Sequence, residues 1–345
     1  MEDVDALEAA DPAGMLRRLA GGAAQIRQAQ RLAAEAGIDV ALEHAQRPRS
    51  IVIAGDGLVG DIVAAVCGIG CPIPVISPPE GPLPGWIGAT DLLFAVGEDS
   101  LALADQALRR GMSVVTVGLP DGRLSQFAIQ SRSLHLPVPN TGPARTELWA
   151  RLVPVLLVVR GLGLLQLSDE TLESTAALLE DLAHRLRPSS EPFVNPAKQI
   201  ALELKDALPM AWGTGPLTWA AARRFTEQLA DNAKRASAVP RLGALDATPP
   251  AQDADDFFRD RGDDPETALH VVIFEDTGER RPAVGEVARA RSLAVTEFKA
   301  EGTHPLERVA SLITVCDYVS VYLALSLGID PTPVAAVSEF KARTA

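Results

Sequence analysis

Two glycine turns are the places where this chain could hold an anion. In the first, SIVIAGDGLVGDIVAAV (residues 50–66), a strand-forming run passes through Gly55, Gly57 and Gly60 into an apolar helix. Spacing and context are those of a loop whose backbone amides cradle a dinucleotide pyrophosphate at a helix N-terminus. The charges oppose it. Asp56 in the loop and Asp61 in the first helical turn put carboxylates in the field that would attract a phosphate. The acidic partner expected about 20 positions further on would have to be Glu80, in a proline-rich loop behind Pro78 and Pro79. A cradle for another anion and a plain strand-to-helix turn stay open, the plain turn being the default.

The second turn, WGTGPLTWAAARRF from Trp212, has no carboxylate in its loop or in the first turns of its helix. Amides from Gly213 through Thr214 to Gly215, the Thr214 and Thr218 hydroxyls, and Arg223 or Arg224 could receive a polyol or a phosphate. A helix packed by Trp219 and Phe225, with surface arginines, explains the same residues equally well. At the end of that helix Asp231 could serve as a general base, although an Asp there is usually just solvated. His44, His135, His184, His270 and His304 show no ligand spacing; only His304, in a loop before the long C-terminal helix, stands where acid-base work is conceivable. Cys67, Cys71 and Cys316 form no even framework and indicate neither disulfides nor zinc. No nucleophile-elbow sequence supports Ser-His-Asp catalysis. Neither a metal nor a cofactor is expected.

Short apolar runs alternate with helical patterns and must position these turns: SIVIA at 50, PIPVIS at 72, DLLFAV at 91, SVVTVG at 113 and SLHLPV at 133. That rhythm predicts a parallel sheet with helices on both faces. An opening helix is expected over residues 13–36, a helix over 99–110 capped at Gly111, and a helical zone from Thr146 to Arg187. The pattern then restarts with a helix at Pro196, strand PMAW at 209, a helix from Leu217 to Arg235, and strands HVVIF at 270 and SLAVTEF at 292. The expected architecture is α/β, two tandem three-layer αβα units with parallel sheets, residues 1–150 and 151–345, plus C-terminal helices. Eight acids against Arg259 and Arg261 between Asp246 and Glu266 read as an exposed acidic loop near 246–268, without an EF-hand pattern.

At 345 residues and 47% hydrophobic the chain can bury a large core, and a net charge of −13 disfavours nucleic acid and anionic membranes as partners. The acidic N-terminus does not resemble a signal peptide. The apolar stretch LVPVLLVV at 152–159 is too short to span a bilayer. A cytoplasmic setting fits the cysteine usage.

Together these segments resemble the bifunctional phosphoglucose/phosphomannose isomerase family, built from two sugar-isomerase (SIS) domains. VNPAKQIALELKDALPMAWGTG (194–215) is similar to that family's Asn-Pro-Ala-Lys segment, strand and glycine turn. AARRFTEQLADNAKRAS is similar to its helix ending in Asn-Glu-Asn-Ala-Lys. The match is clearest in LITVCDYVSVYLALSLGIDPTPVAAVSEFK. The resemblance implies aldose-ketose isomerisation through an enediolate, which needs a carboxylate base, a ring-opening acid-base group, a cation and a phosphate cradle. It would make Asp231 the base, Arg145 the enediolate-stabilising cation, and Lys341 the functional lysine of the last helix. It would make Gly213, Thr214, Gly215, Gly55 and Gly57 sugar-phosphate contacts.

The chain departs from the family in three places. Asp replaces Glu at 231, roughly 1 Å shorter in reach, a misplacement worth about 100-fold in rate. The segment holding the family's ring-opening histidine reads PRLGALDA, with Ala244 at the aligned place, leaving His304 as the remaining weak substitute. The first-domain phosphate loop is AVGEDSLALADQ, with Glu98 and Asp99 where hydroxyls and amides should meet the phosphate. The leading expectation is therefore a sugar-phosphate-binding, regulatory or scaffold protein of the isomerase fold with lost or reduced turnover. The alternative is an active isomerase on a hexose or aminosugar phosphate with Asp231 as base. An NAD-dependent oxidoreductase would rest on the first glycine turn alone. The resemblance also implies a homodimer, and a non-catalytic role would imply an enzyme partner in hexose-phosphate metabolism.

Overall fold

The computed structural model describes residues 3–78, 81–239, 268–277 and 283–344. The chain divides into two compact units. One comprises Ala20–Glu180 with Gly302–Glu307; the other comprises Met1–Leu19, Asp181–Glu301 and Arg308–Ala345. A cut at residue 150 would fall inside the helix Leu148–Gly161, which belongs whole to the first unit.

In the first unit, β1 (Ile51–Ala54), β2 (Val75–Ile76), β3 (Leu92–Val96), β4 (Ser113–Gly118) and β5 (Leu134–Pro137) form one parallel sheet in the order β2-β1-β3-β4-β5. Residues Ile51 to Ala54 pair with Leu92 to Ala95, and both strands are buried along their whole length. Continuous apolar runs are what a sheet covered on both faces requires. The helices Gly57–Cys67, Leu101–Arg109 and Arg123–Ser131 provide the crossovers.

The opening helix is broken into Met15–Leu19 and Gly22–Glu35. At Gly22 a β-carbon would come within 3.0 Å of the Trp149 ring and 3.2 Å of Leu179, so a larger residue would push the second helix off its neighbours. The helical zone expected from Thr146 to Arg187 is likewise two helices, Leu148–Gly161 and Asp169–Arg185, separated by Gly163 at φ +70°.

In the other unit, β6 (Ala207–Gly213), β7 (Ala268–Glu275) and β8 (Ala294–Lys299) form a parallel sheet in that order. Phe225 of the helix Pro216–Asp231 meets Phe274 and Phe298 edge-on at 5.9 and 6.1 Å, and the latter two rings stack at 5.2 Å. The helix Pro305–Ser326 is long and apolar enough to cross a bilayer, yet 89% of its apolar window is buried within the fold, the pattern of a core helix. The Asn-Pro-Ala-Lys motif is structural here. Asn195 accepts the Ala197 and Lys198 amides, and buried Lys198 donates to the Pro188 and Ser190 carbonyls at 2.6 and 2.9 Å.

His135 and His270 are strand residues. Thr116 and the Leu119 carbonyl hold the first at 2.8 and 3.1 Å, and Thr296 holds the second at 2.8 Å. Burial lowers the pKa of both from 6.5 against opposing contacts with Leu119, Glu98 and Glu203. A depressed histidine pKa leaves stability intact above the unfolded value and removes it as the pH falls through the folded one. The thermal midpoint should therefore decline as the pH drops below about 6.5. The double variant His135→Gln/His270→Gln should show a shallower decline; an unchanged slope would refute the assignment.

Candidate functional site

In the first unit the strand order reverses between β1 and β3, and in an open α/β sheet ligands enter the crevice beyond the carboxyl ends at that point. Here the crevice is filled by its own loops. Gly55 has φ +92°, and a β-carbon on it would stand 2.3 Å from the Val96 carbonyl and 2.6 Å from Ser100 Cβ. The loops after β1 and β3 are thus pressed together. Ser100, fully buried, donates its hydroxyl to the Gly97 carbonyl at 2.6 Å. The third glycine, Gly60, lets the helix approach Ser77, whose Oγ would lie 1.7 Å from a β-carbon there. Gly57 is the first residue of that helix. Asp56 caps it through the Val59 amide at 3.1 Å and faces Arg151 at 3.5 Å, so a guanidinium matches the charge that sequence reasoning read as repulsive.

Glu98 completes the closure. Its carboxylate accepts the Leu119 and Leu124 amides, each at 3.2 Å, at the N-terminus of the helix Arg123–Ser131. β-carbons on Gly118 and Gly122 would stand only 2.8 and 2.3 Å from the same carboxylate. A side-chain anion lies where helix-end amides could have met a phosphate. What remains between Glu98, Glu147 and Arg151 is a cavity of about 40 Å³. That suits a water molecule, whereas small-molecule sites run to about 300–1,000 Å³.

Arg145 lies in the turn Ala144–Thr146 that leads into the helix Leu148–Gly161. Arg151, which sequence reasoning missed, meets the glycine loop. Its signal was a charge in the first turn of a largely apolar helix, beside the buried Leu152 and Val153. Glu147, also missed, is buried and accepts from the Thr141 and Gly142 amides at 2.5 and 2.9 Å.

In the other unit Gly213 ends β6 against the first turn of the next helix; a β-carbon there would lie 2.3 Å from the Thr218 carbonyl group. Thr218 is buried and its hydroxyl takes the Gly215 amide at 2.8 Å, so neither group faces outward. Thr214 is the exposed residue of the turn. Arg223 pairs with Glu227 at 2.9 Å on the surface, whereas Arg224 turns inward to Asp317 at 2.8 and 3.0 Å. Trp219, expected in the core, is 47% exposed, because Phe225 and the buried alanines form the inward face.

Asp231 is the last of 16 helical residues and remains partly exposed. At 1.5 Å per residue it lies about 22 Å from the glycine turn that opens the helix. One hexose phosphate cannot touch both within a subunit. Neighbouring Asn232 is fully buried and donates to Ser320 at 2.8 Å.

His304 has both ring nitrogens engaged. Nδ1 accepts the Leu306 amide at 3.1 Å, leaving Nε2 to donate to the Gln166 carbonyl at 3.0 Å. It thereby helps cap the helix Pro305–Ser326. Burial would raise the pKa of Glu307, but Ser174 and the His304 and Thr303 amides hold it below the ordinary carboxylate range. Lys341 lies on the helix Ala335–Thr344, and its side chain, like Glu80, Ala244 and the acidic stretch from Asp246 to Glu266, lies outside the described residues. Among the described residues no three His, Cys, Asp or Glu side chains are grouped to hold a metal ion.

A parallel sheet with a glycine turn at its switch point, followed by a second strand-turn-helix unit, defines a protein of the sugar-isomerase (SIS) fold. A glucose-6-phosphate isomerase like protein from Thermus thermophilus shares that fold with a TM-score of 0.61 and 21% identity, 99% of each chain being covered. Residues 193–344 match the family described as bacterial phospho-glucose isomerase C-terminal SIS domain. Proteins named bifunctional phosphoglucose/phosphomannose isomerase are similar over most of their length. The Caldicellulosiruptor bescii protein is 24% identical over 93% of this chain and 96% of its own, and that of Thermoplasma acidophilum 23% identical over 85% and 89%. The chain is a distant homologue of the bifunctional phosphoglucose/phosphomannose isomerases.

Proposed function

We propose that this protein has lost ordinary phosphohexose isomerase turnover and acts as a regulatory or scaffold member of its fold. The observation that carries this is the filled switch-point crevice, with Gly55 against Val96 and Ser100 and the Glu98 carboxylate on the Leu119 and Leu124 amides. A sugar phosphate would have to displace a covalently tethered anion and push apart a pair of packed loops. The engagement of both His304 nitrogens points the same way, since ring opening needs a group free to exchange a proton. Homodimerisation, and a sugar phosphate bound at the exposed Thr214 turn, remain compatible with this role.

The second reading is an active isomerase in which Asp231, still partly exposed, is the base. Because about 22 Å of helix separates it from the Thr214 turn, such a site would combine Asp231 of one subunit with a turn of another. A coupled assay with fructose 6-phosphate, following glucose 6-phosphate and mannose 6-phosphate, decides between them. No turnover by wild type is the expected result. Turnover abolished by Asp231→Ala would overturn the non-catalytic reading.

A further inference from the structure

Cys67 ends the helix Gly57–Cys67, and Cys71 lies just before β2. Gly68 caps the helix at φ +65°, donating its amide to the Ala64 carbonyl at 3.1 Å. The Cys71 amide closes back on the Gly68 carbonyl at 3.2 Å. This turn doubles the chain back between the two cysteines, so that the Cys67 and Cys71 thiols are neighbours that act on each other electrostatically. Both cysteines are partly exposed, and Ile69 between them lies fully in solvent, so a small oxidant can reach the pair. β-carbons on Gly68 and Gly70 would meet no close obstacle beyond the Ala65 carbonyl at 3.9 Å, so no neighbouring side chain packs tightly on those faces of the turn. The third cysteine, Cys316, is completely buried and stands apart from this chemistry.

We propose that Cys67 and Cys71 are a thiol oxidation site that closes reversibly into an intramolecular disulfide, stapling the end of the helix Gly57–Cys67 to the lead-in of edge strand β2. With oxidised glutathione as the disulfide oxidant, the Cys71 thiolate attacks one glutathione sulfur. A Cys71–glutathione bond forms, and the first glutathione leaves as thiolate. Cys67, after losing its proton to solvent, then attacks the Cys71 sulfur, forming Cys67–Cys71 and expelling the second glutathione. The protein loses two electrons and two protons, and one glutathione disulfide becomes two thiols.

The order follows from the surroundings. Burial first, and then the neighbouring Cys71, push the Cys67 thiol up to about 12, which makes it the poorer first attacker and the slow partner in ring closure.

The chain has no Lys or Arg between Arg49 and Arg109, so trypsin leaves both cysteines on one peptide. Reduced full-length protein treated with oxidised glutathione, quenched by alkylation and digested, should yield that peptide two hydrogens lighter and unalkylated. Dithiothreitol should reverse the change. Cys67→Ser should accumulate a glutathione adduct on Cys71, and Cys71→Ser should give no loss of two hydrogens. Two alkylated thiols in oxidised wild type, a persistent glutathione adduct, or disulfide-linked chains in place of the internal bond would each overturn the proposal.

Discussion

Arg224→Ala should destabilise the protein by about 3–5 kcal/mol in urea unfolding, the cost of stranding one partner of a buried ion pair. Arg224 and Asp317 expose only 5% and 9% of their side chains and are joined by two hydrogen bonds. Burial already holds Asp317 above the ordinary carboxylate range despite the guanidinium beside it. Without Arg224 the carboxylate would be neutralised more readily still, so the deficit should shrink toward acid pH. Replacing both partners, as Arg224→Met with Asp317→Leu, should recover most of the loss, because the apolar pair avoids the desolvation cost. A single variant within about 1 kcal/mol of wild type would show that the guanidinium is not sequestered from solvent.

Gly55→Ala should cost about 3 kcal/mol. Roughly 1–2 kcal/mol comes from a side chain at positive φ, and about 1–3 kcal/mol from overpacking where nothing can yield. The obstacles are the Val96 carbonyl at 2.3 Å and Ser100 Cβ at 2.6 Å, one of them backbone. The measurement also reports on function. If the loops after β1 and β3 stand apart in solution, leaving an open sugar-phosphate crevice, the substitution should cost only the backbone share, about 1–2 kcal/mol. The full cost means that the crevice is closed in the unliganded protein.

Most of the fold was legible in the sequence. All eight expected apolar runs contain strands, and the helices expected at Pro196 and Leu217 begin at Pro196 and Pro216. Errors arose where packing governs. Gly22 opens the second piece of the expected first helix, where Trp149 and Leu179, residues far along the chain, approach it. The site was legible only in outline. Asp56 and Glu98 could be read as acids in these loops, but their partners could not. Asp56 is a cap facing Arg151, and Glu98 is itself the occupant of the helix-end amides.

By itself the sequence determined the parallel α/β architecture, the two glycine turns and the kinship with sugar isomerases. These follow from strand and helix periodicity, glycine conformational freedom and residue identity, which act over short stretches of chain. Only the tertiary structure decided which Arg faces the glycine loop, that Arg224 is spent on Asp317 93 residues away, and that Glu98 reaches Leu124 26 residues away. Those outcomes depend on which loops close against each other and exclude water. Burial and hydrogen-bond partners are properties of the assembled neighbourhood, not of any stretch that can be read in order.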